Sequence, residues 1–216
     1  MKKSTIILFH LLLIIIQAGC SQPKTSNAKV EDRFVITSDI LNEDRTCLLR
    51  LPDSYHDSSR ISKKYPVIIL LDGNTFLKTT EGVVHFMSSD INRNNLMPES
   101  IIVAIANVDR ERDFTVTKLK TKRPNTMGGG KKFLDFIQKE LVPFIDYNYR
   151  TLPSRTLIGH SLGGLLTLNS YMDPNSIFDA YIAIDPSIWW DEETMKNKVD
   201  SIKPASFHKK NIYRHR

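Results

Sequence analysis

From Pro66 onward the chain alternates short unbroken apolar runs with longer stretches of helical period, and this alternation limits the fold more than any other feature. Pro66 to Leu71 (Pro-Val-Ile-Ile-Leu-Leu) and Ile101 to Ile105 are continuous apolar runs. Such runs suit strands covered on both faces, as in a parallel sheet. Arg155 to Ile158 and Ala180 to Ile184 add two more. The segments between them, Gly82 to Asn95, Gly128 to Tyr147 and Leu162 to Met172, read as helices. In the second, Phe133, Phe136, Ile137, Leu141, Phe144 and Ile145 fall on one face, and Pro143 is expected to bend or end its regular part. Parallel neighbours need crossovers, which the helices supply. Ahead of Pro66, Arg33 to Ile40 and Thr46 to Leu51 read as an antiparallel pair turning at Asn42-Glu43-Asp44. The expected fold class is therefore α/β, in one domain over residues 31–216. A mainly parallel sheet carries helices on both faces and is led in by an antiparallel N-terminal strand pair.

Composition narrows the function classes. With 41% apolar and 25% charged residues, the chain can build a core. The formal charge is +6, but the basic residues are interleaved with acids, as in Asp109-Arg110-Glu111-Arg112-Asp113. A nucleic-acid binder gathers its charge on one face or stripe, so no nucleic-acid partner is expected. There is no His-x-x-x-His and no paired Cys-x-x-Cys, so neither a metal site nor a cofactor is expected. Cys47 lies in an apolar strand-like run and reads as a small buried core residue.

The first residues carry a different signal. Lys2 and Lys3 precede Ile6 to Ile16, an apolar run broken only by His10. The run is too short for a membrane span of ~20 residues and reads as a signal peptide over residues 1–19. Gln17-Ala18-Gly19-Cys20 resembles the lipobox of bacterial lipoproteins. That resemblance implies lipid attachment at Cys20 and a lipid-anchored place in the bacterial cell envelope, periplasmic or surface. An ordinary secretory signal with an incidental Cys20, or a retained anchor, are the alternatives. Residues 20–30, polar and containing Pro23, read as a tether.

Gly159-His160-Ser161-Leu162-Gly163-Gly164 matches Gly-x-Ser-x-Gly, with a strand-like run before it and an apolar helix after it. A serine hydroxyl on a tight strand-to-helix turn stands clear of the sheet edge, where a base can activate it. Gly159 and Gly163 are expected to remove side chains that would clash across the turn, and Gly164 to let the helix pack close to the sheet. The helix start presents free N–H groups, that of Leu162 above all, to a developing oxyanion.

The chain resembles the esterase branch of the α/β-hydrolases, which includes siderophore (enterochelin-type) esterases and S-formylglutathione hydrolase-like enzymes. The likeness runs from about Asp32 to Asp191. Besides the serine turn, it rests on Pro66-to-Asn74, Ile101-to-Thr115, Gly129-to-Thr151 and Asp185-to-Asp191. It implies a carboxylic ester or thioester as a small-molecule substrate, with Ser161 as nucleophile and an acyl-Ser161 intermediate. It also implies a second oxyanion donor from the backbone N–H of Gly73 or Asn74. Arg110 is a candidate to meet an acidic or polar acyl group, or else pairs with Asp113 or Asp109. Trp189 and Trp190 either wall the acyl pocket or are packing residues. Asp185 ends a strand and is the best acid in the chain, although the family's acid lies later.

The histidine is the missing part. In such hydrolases the order along the chain is Ser, acid, His. Lys210-Asn211-Ile212-Tyr213 reads as the start of a further strand that breaks off at Arg214-His215-Arg216. His160 is expected to point away from Ser161, and His208 and His215 lie in a basic terminal stretch. The chain thus reads as incomplete at its C-terminus and is expected to be nearly inactive. An acyltransferase of the same fold, and a non-catalytic ligand-binding surface lipoprotein on a hydrolase scaffold, are the competing readings.

Overall fold

The structure, a computed structural model, describes residues 33–89, 96–121 and 125–201. The expected leader, Cys20, the tether, His208, His215 and the strand at Lys210 to Tyr213 lie outside these residues. The described strands are β1 (Arg33–Ser38), β2 (Glu43–Arg50), β3 (Tyr65–Leu70), β4 (Ile101–Ile105), β5 (Thr151–His160) and β6 (Ala180–Ile184). They form one sheet in the order β1-β2-β4-β3-β5-β6. β1 pairs antiparallel with β2, and β2 antiparallel with β4. β4, β3, β5 and β6 run parallel.

The central strands are apolar throughout because both of their faces are covered. Val67, Ile69 and Leu71 of the β3 segment join one core cluster, together with Ile101, Val103 and Ile105. Ile68, Leu70, Ile102 and Ala104 join a second cluster on the other face. The period of two in strand side chains makes this division. Helix α1 (Gly73–Ser88) covers the smaller cluster through Leu77 and Val84. The larger cluster is covered by α2 (Arg110–Phe114), by the helical stretch from Gly130 to Asn148 and by α5 (Leu162–Tyr171). α6 (Trp190–Ser201) adds Trp190 and Met195 to it.

Several boundaries differ from those read in the sequence, each for a local reason. α1 begins at Gly73 rather than Gly82, because Asp72 adopts φ 54° and ψ 42° and turns β3 directly into a helix. Asn74 and Thr75, which look like turn residues, form its first turn. The stretch from Gly130 to Asn148 runs on through Pro143 as α3 (Gly130–Phe136), a π turn (Ile137–Leu141) and α4 (Val142–Asn148). Proline crowds the carbonyl four residues earlier in a regular helix. Here Val142 N–H reaches back to Ile137 O, and the wide turn makes room. β5 starts at Thr151, before Arg155. The register with β3 shifts between Tyr65 and Val67, and Pro153 sits in that irregular part. α2 and α6 are elements the sequence pattern did not announce.

A buried ionic cluster ties the β1–β2 hairpin to α2. The Arg45 side chain is fully buried, with Nη2 on Glu43 and 2.6 Å from Asp113 Oδ2. Arg112 spans the same two acids, its Nε 2.8 Å from Asp113 and its Nη2 2.6 Å from Glu43. Arg45 also lies over the Phe133 ring, 5.1 Å from its centroid. Burial pushes the Glu43 carboxyl up. Hydrogen bonding from Arg112 and the charges of Arg45 and Arg112 outweigh this and hold it below its ordinary value of 4.5. Cys47 beside the cluster is fully buried, and burial pushes its thiol up to about 12.

Breaking one member of such a cluster leaves an uncompensated buried charge. Asp113→Ala is expected to cost about 3–5 kcal/mol, read as a shift in the urea midpoint. The depressed Glu43 value adds a pH signature. Its share of the stability is complete above its ordinary value and is lost as pH falls through the lower folded value.

Candidate active site

β3 has β4 on one side and β5 on the other, so the chain direction across the sheet reverses at β3. Ligand clefts of parallel sheets open at the carboxyl ends of strands at such a reversal. Two turns meet there. The first follows β5. Ser161 has φ 54° and ψ −118°, a strained conformation for a non-glycine residue. Its surroundings over-determine it: Ser161 N donates to Ile184 O at 3.0 Å, and Ser161 O accepts from Leu165 N at 2.9 Å and Ser187 N at 3.1 Å. Ser161 is half-buried, and α5 begins at the next residue. The N–H groups of Leu162 and Gly163 are therefore among those a helix leaves without an internal acceptor.

The glycines around the turn are unequal. A Cβ on Gly159 would stand 2.3 Å from Gly163 O, and one on Gly164 would stand 3.0 Å from Pro186 Cα. A Cβ on Gly163 would make only ordinary contact, 3.4 Å from Asp72 Oδ2. The clash expected at Gly163 is thus absent, because its α-hydrogens face the neighbouring turn and not β5.

The second turn follows β3. Asp72 O accepts from Thr75 N at 2.9 Å and Phe76 N at 3.0 Å. Gly73 and Asn74 therefore carry the leading amides of α1. Leu71 N donates to Ile158 O at 2.9 Å, which ties this turn to β5. The starts of α1 and α5 lie side by side, since Gly163 packs on Leu71 and Asp72. Two helix N-termini, each with N–H groups that the helix leaves unsatisfied and with positive dipole character, lie next to each other at the carboxyl ends of β3 and β5.

Arg110 pairs with neither Asp113 nor Asp109. Its Nε lies 2.7 Å and its Nη2 3.1 Å from the two oxygens of Asp72, and Nη2 also donates to His160 O at 3.2 Å. Asp109 instead caps α2 by accepting from Arg112 N, and Asp113 belongs to the buried cluster. The His160 ring meets Phe76 edge-on, with centroids 5.2 Å apart. The other described histidines, His56 and His85, sit against Tyr55 and Asp53. Asp185 is exposed at the end of β6 with φ 42°. The two tryptophans separate: Trp190 is 8% exposed and joins the core, whereas Trp189 is 65% exposed.

The sequence reading passed over two residues. Ser187, 4% exposed, places its Oγ 3.1 Å from Ser161 Oγ. Asp72, 3% exposed, also accepts from Asn107 Nδ2 at 2.6 Å. Position was the only available signal, since each follows the carboxyl end of a strand that borders the cleft. A cavity of about 310 Å³, lined in part by Lys78, Glu81, His85 and Glu99, lies toward the other end of α1 and shares no residue with this site.

A mainly parallel sheet with helices on both faces, and a half-buried serine on a strained strand-to-helix turn, define an α/β-hydrolase-type fold. The Esterase family model, described as "Putative esterase", matches residues 38–214, and the chain belongs to that family. It is 33% identical over 163 residues to the ferri-bacillibactin esterase BesA of Bacillus subtilis (strain 168), covering 68% of this chain and 55% of that protein. It is 35% identical over 135 residues to a siderophore triacetylfusarinine C esterase of Aspergillus fumigatus, covering 58% of this chain and 45% of that protein. Among solved structures, an IroE-like serine hydrolase from Shewanella oneidensis aligns with a TM-score of 0.71 at 33% identity, over 78% of this chain and 54% of that one. The chain spans about half the length of the curated relatives it matches.

The contrast between the glycines is testable by thermal unfolding. Gly159→Ala forces a methyl into a backbone carbonyl and is expected to cost about 3 kcal/mol or more. Gly163→Ala is expected to stay within about 1 kcal/mol of the parent chain, since alanine favours the helix and meets no clash.

Proposed function

We propose that the chain is a serine esterase acting on a small-molecule ester of the siderophore type through an acyl-Ser161 intermediate. The observation that carries this reading is the backbone of Ser161, held at positive φ at the carboxyl edge of β5, between the leading amides of α1 and α5. The family match and the esterase names of the relatives support the reaction class. Two of those relatives are named for a siderophore substrate.

In this reading Ser161 Oγ attacks the ester carbonyl carbon. The carbonyl oxygen takes up the negative charge and is held by the N–H of Leu162 and that of Gly73 or Asn74. The C–O bond to the alcohol then breaks, the proton given up by the Ser161 hydroxyl leaves on the alcohol oxygen, and water adds to the acyl carbon, returning a proton to Ser161 Oγ as the acid is released. Another alcohol in place of water would make the same intermediate a transferase step. Trp189, exposed near Ser187, offers an aromatic surface to the acyl or alcohol part. Trp190 acts through packing.

A second reading draws on one specific observation. Among the described residues, the Ser161 hydroxyl has Ser187 Oγ as its side-chain partner, and no hydrogen bond joins it to a described histidine. A scaffold that binds the ester without cleaving it fits that arrangement.

Labelling with a fluorophosphonate probe separates the two. The esterase reading expects covalent labelling of Ser161, located by peptide mass and abolished in Ser161→Ala. It also expects whatever turnover of a chromogenic short-chain ester the chain shows to be lost in that variant. Folded chain that takes no label supports the binding scaffold.

A further inference from the structure

We propose that Arg110 is a positioning residue that compensates the Asp72 charge, keeping the amides beside Ser161 fit to hold an oxyanion. This rests on the Ser161 reading given above. Asp72 is 3% exposed and precedes the leading amides of α1. Its Oδ2 lies 3.4 Å from the position a Cβ on Gly163 would take, which places the carboxylate against the first turn of α5. A fixed negative charge therefore lies beside both sets of amides assigned to the oxyanion. Alone, it would oppose the charge that develops on the substrate, and because Asp72 is buried that opposition is only partly screened by solvent.

The structure supplies the compensation in a fixed geometry. The Arg110 fork grips both carboxylate oxygens, at 2.7 and 3.1 Å, and Asn107 Nδ2 approaches Oδ1 at 2.6 Å. A planar fork suits a carboxylate in a way a lysine does not. The same guanidinium donates to His160 O at 3.2 Å, so the residue before Ser161 and the end of β3 share one cation. Arg110 itself is held over the Phe114 ring at 5.4 Å and starts α2, which the buried Arg45–Asp113 cluster anchors. No contact with substrate is required of it.

The test uses the full chain and two readouts: the rate of fluorophosphonate labelling at Ser161 and the melting temperature. Arg110→Gln removes the cation and leaves the Asp72 carboxylate uncompensated. Labelling is expected to slow at least tenfold. Adding Asp72→Asn to it removes the opposing charge as well, and labelling is expected to recover at least threefold over Arg110→Gln. A merely structural ion pair would move the melting temperature and leave the labelling rate of the folded variants unchanged, and that result overturns the proposal. Labelling in the double variant that is no faster than in Arg110→Gln also overturns it. If Arg110→Gln does not fold, the double variant, which carries no lone buried charge, decides. Labelling within tenfold of the parent supports compensation, and a larger loss in folded protein contradicts it. Absence of label in the parent chain overturns the Ser161 reading and this inference with it. Label in the parent with the wrong pattern in the variants overturns this inference alone.

Discussion

The whole arrangement depends on how closely the end of β5 approaches the first turn of α5. Gly159 and the Gly163 carbonyl are so near that a single methyl would stand 2.3 Å from the oxygen. That closeness forces the chain to reverse within one residue, and the residue is Ser161. Its unusual φ and ψ are a consequence of the approach. The strain is held by backbone bonds to β6 and to the loop carrying Ser187, so β6 serves the site although its outer residues are exposed. The same backbone bonds that fix the turn hold Ser161 at the carboxyl end of β5.

Around this turn, charge is organised in two layers. Near the cleft lie the amides of two helix starts, with Asp72 and Arg110 balanced beside them. Behind α2 lies the cluster around the fully buried Arg45, whose acids face two guanidinium groups. Buried ion pairs seldom add net stability over apolar packing, and their best-attested use is to fix an arrangement. Here the cluster fixes α2 against the β1–β2 hairpin, and α2 presents Arg110 to the site.

What could be read in the sequence follows from how local its cause is. β3 and β4 are covered on both faces, so their runs are apolar at every position. The stretch from Gly130 to Asn148 shows its buried face by period. The Ser161 turn shows itself through glycines that sit within five residues of one another. The start of α1 was hidden, because a left-handed Asp72 before Asn74 and Thr75 looks like an ordinary turn. α2 was hidden because Arg110 to Asp113 are all charged, and only the fold shows which of them are buried. Arg45 lies between Asp44 and Thr46 and reads as surface. Its burial is decided by Asp113 and Phe133, far along the chain. Arg110 found Asp72 and not its acidic neighbours for the same reason: Asp109 was already committed to capping α2 and Asp113 to the cluster. Ser187 became part of the site only once β6 was seen to run beside β5.

If Ser161 is the nucleophile, the two helix starts hold negative charge on an oxygen bonded next to it. A crystal structure of the chain after reaction with a fluorophosphonate tests it most directly. The account predicts phosphorus on Ser161 Oγ, with the phosphonyl oxygen about 2.7–3.1 Å from Leu162 N and from the N of Gly73 or Asn74. An adduct on another residue, or a phosphonyl oxygen turned to solvent with neither amide in hydrogen-bonding range, would contradict it.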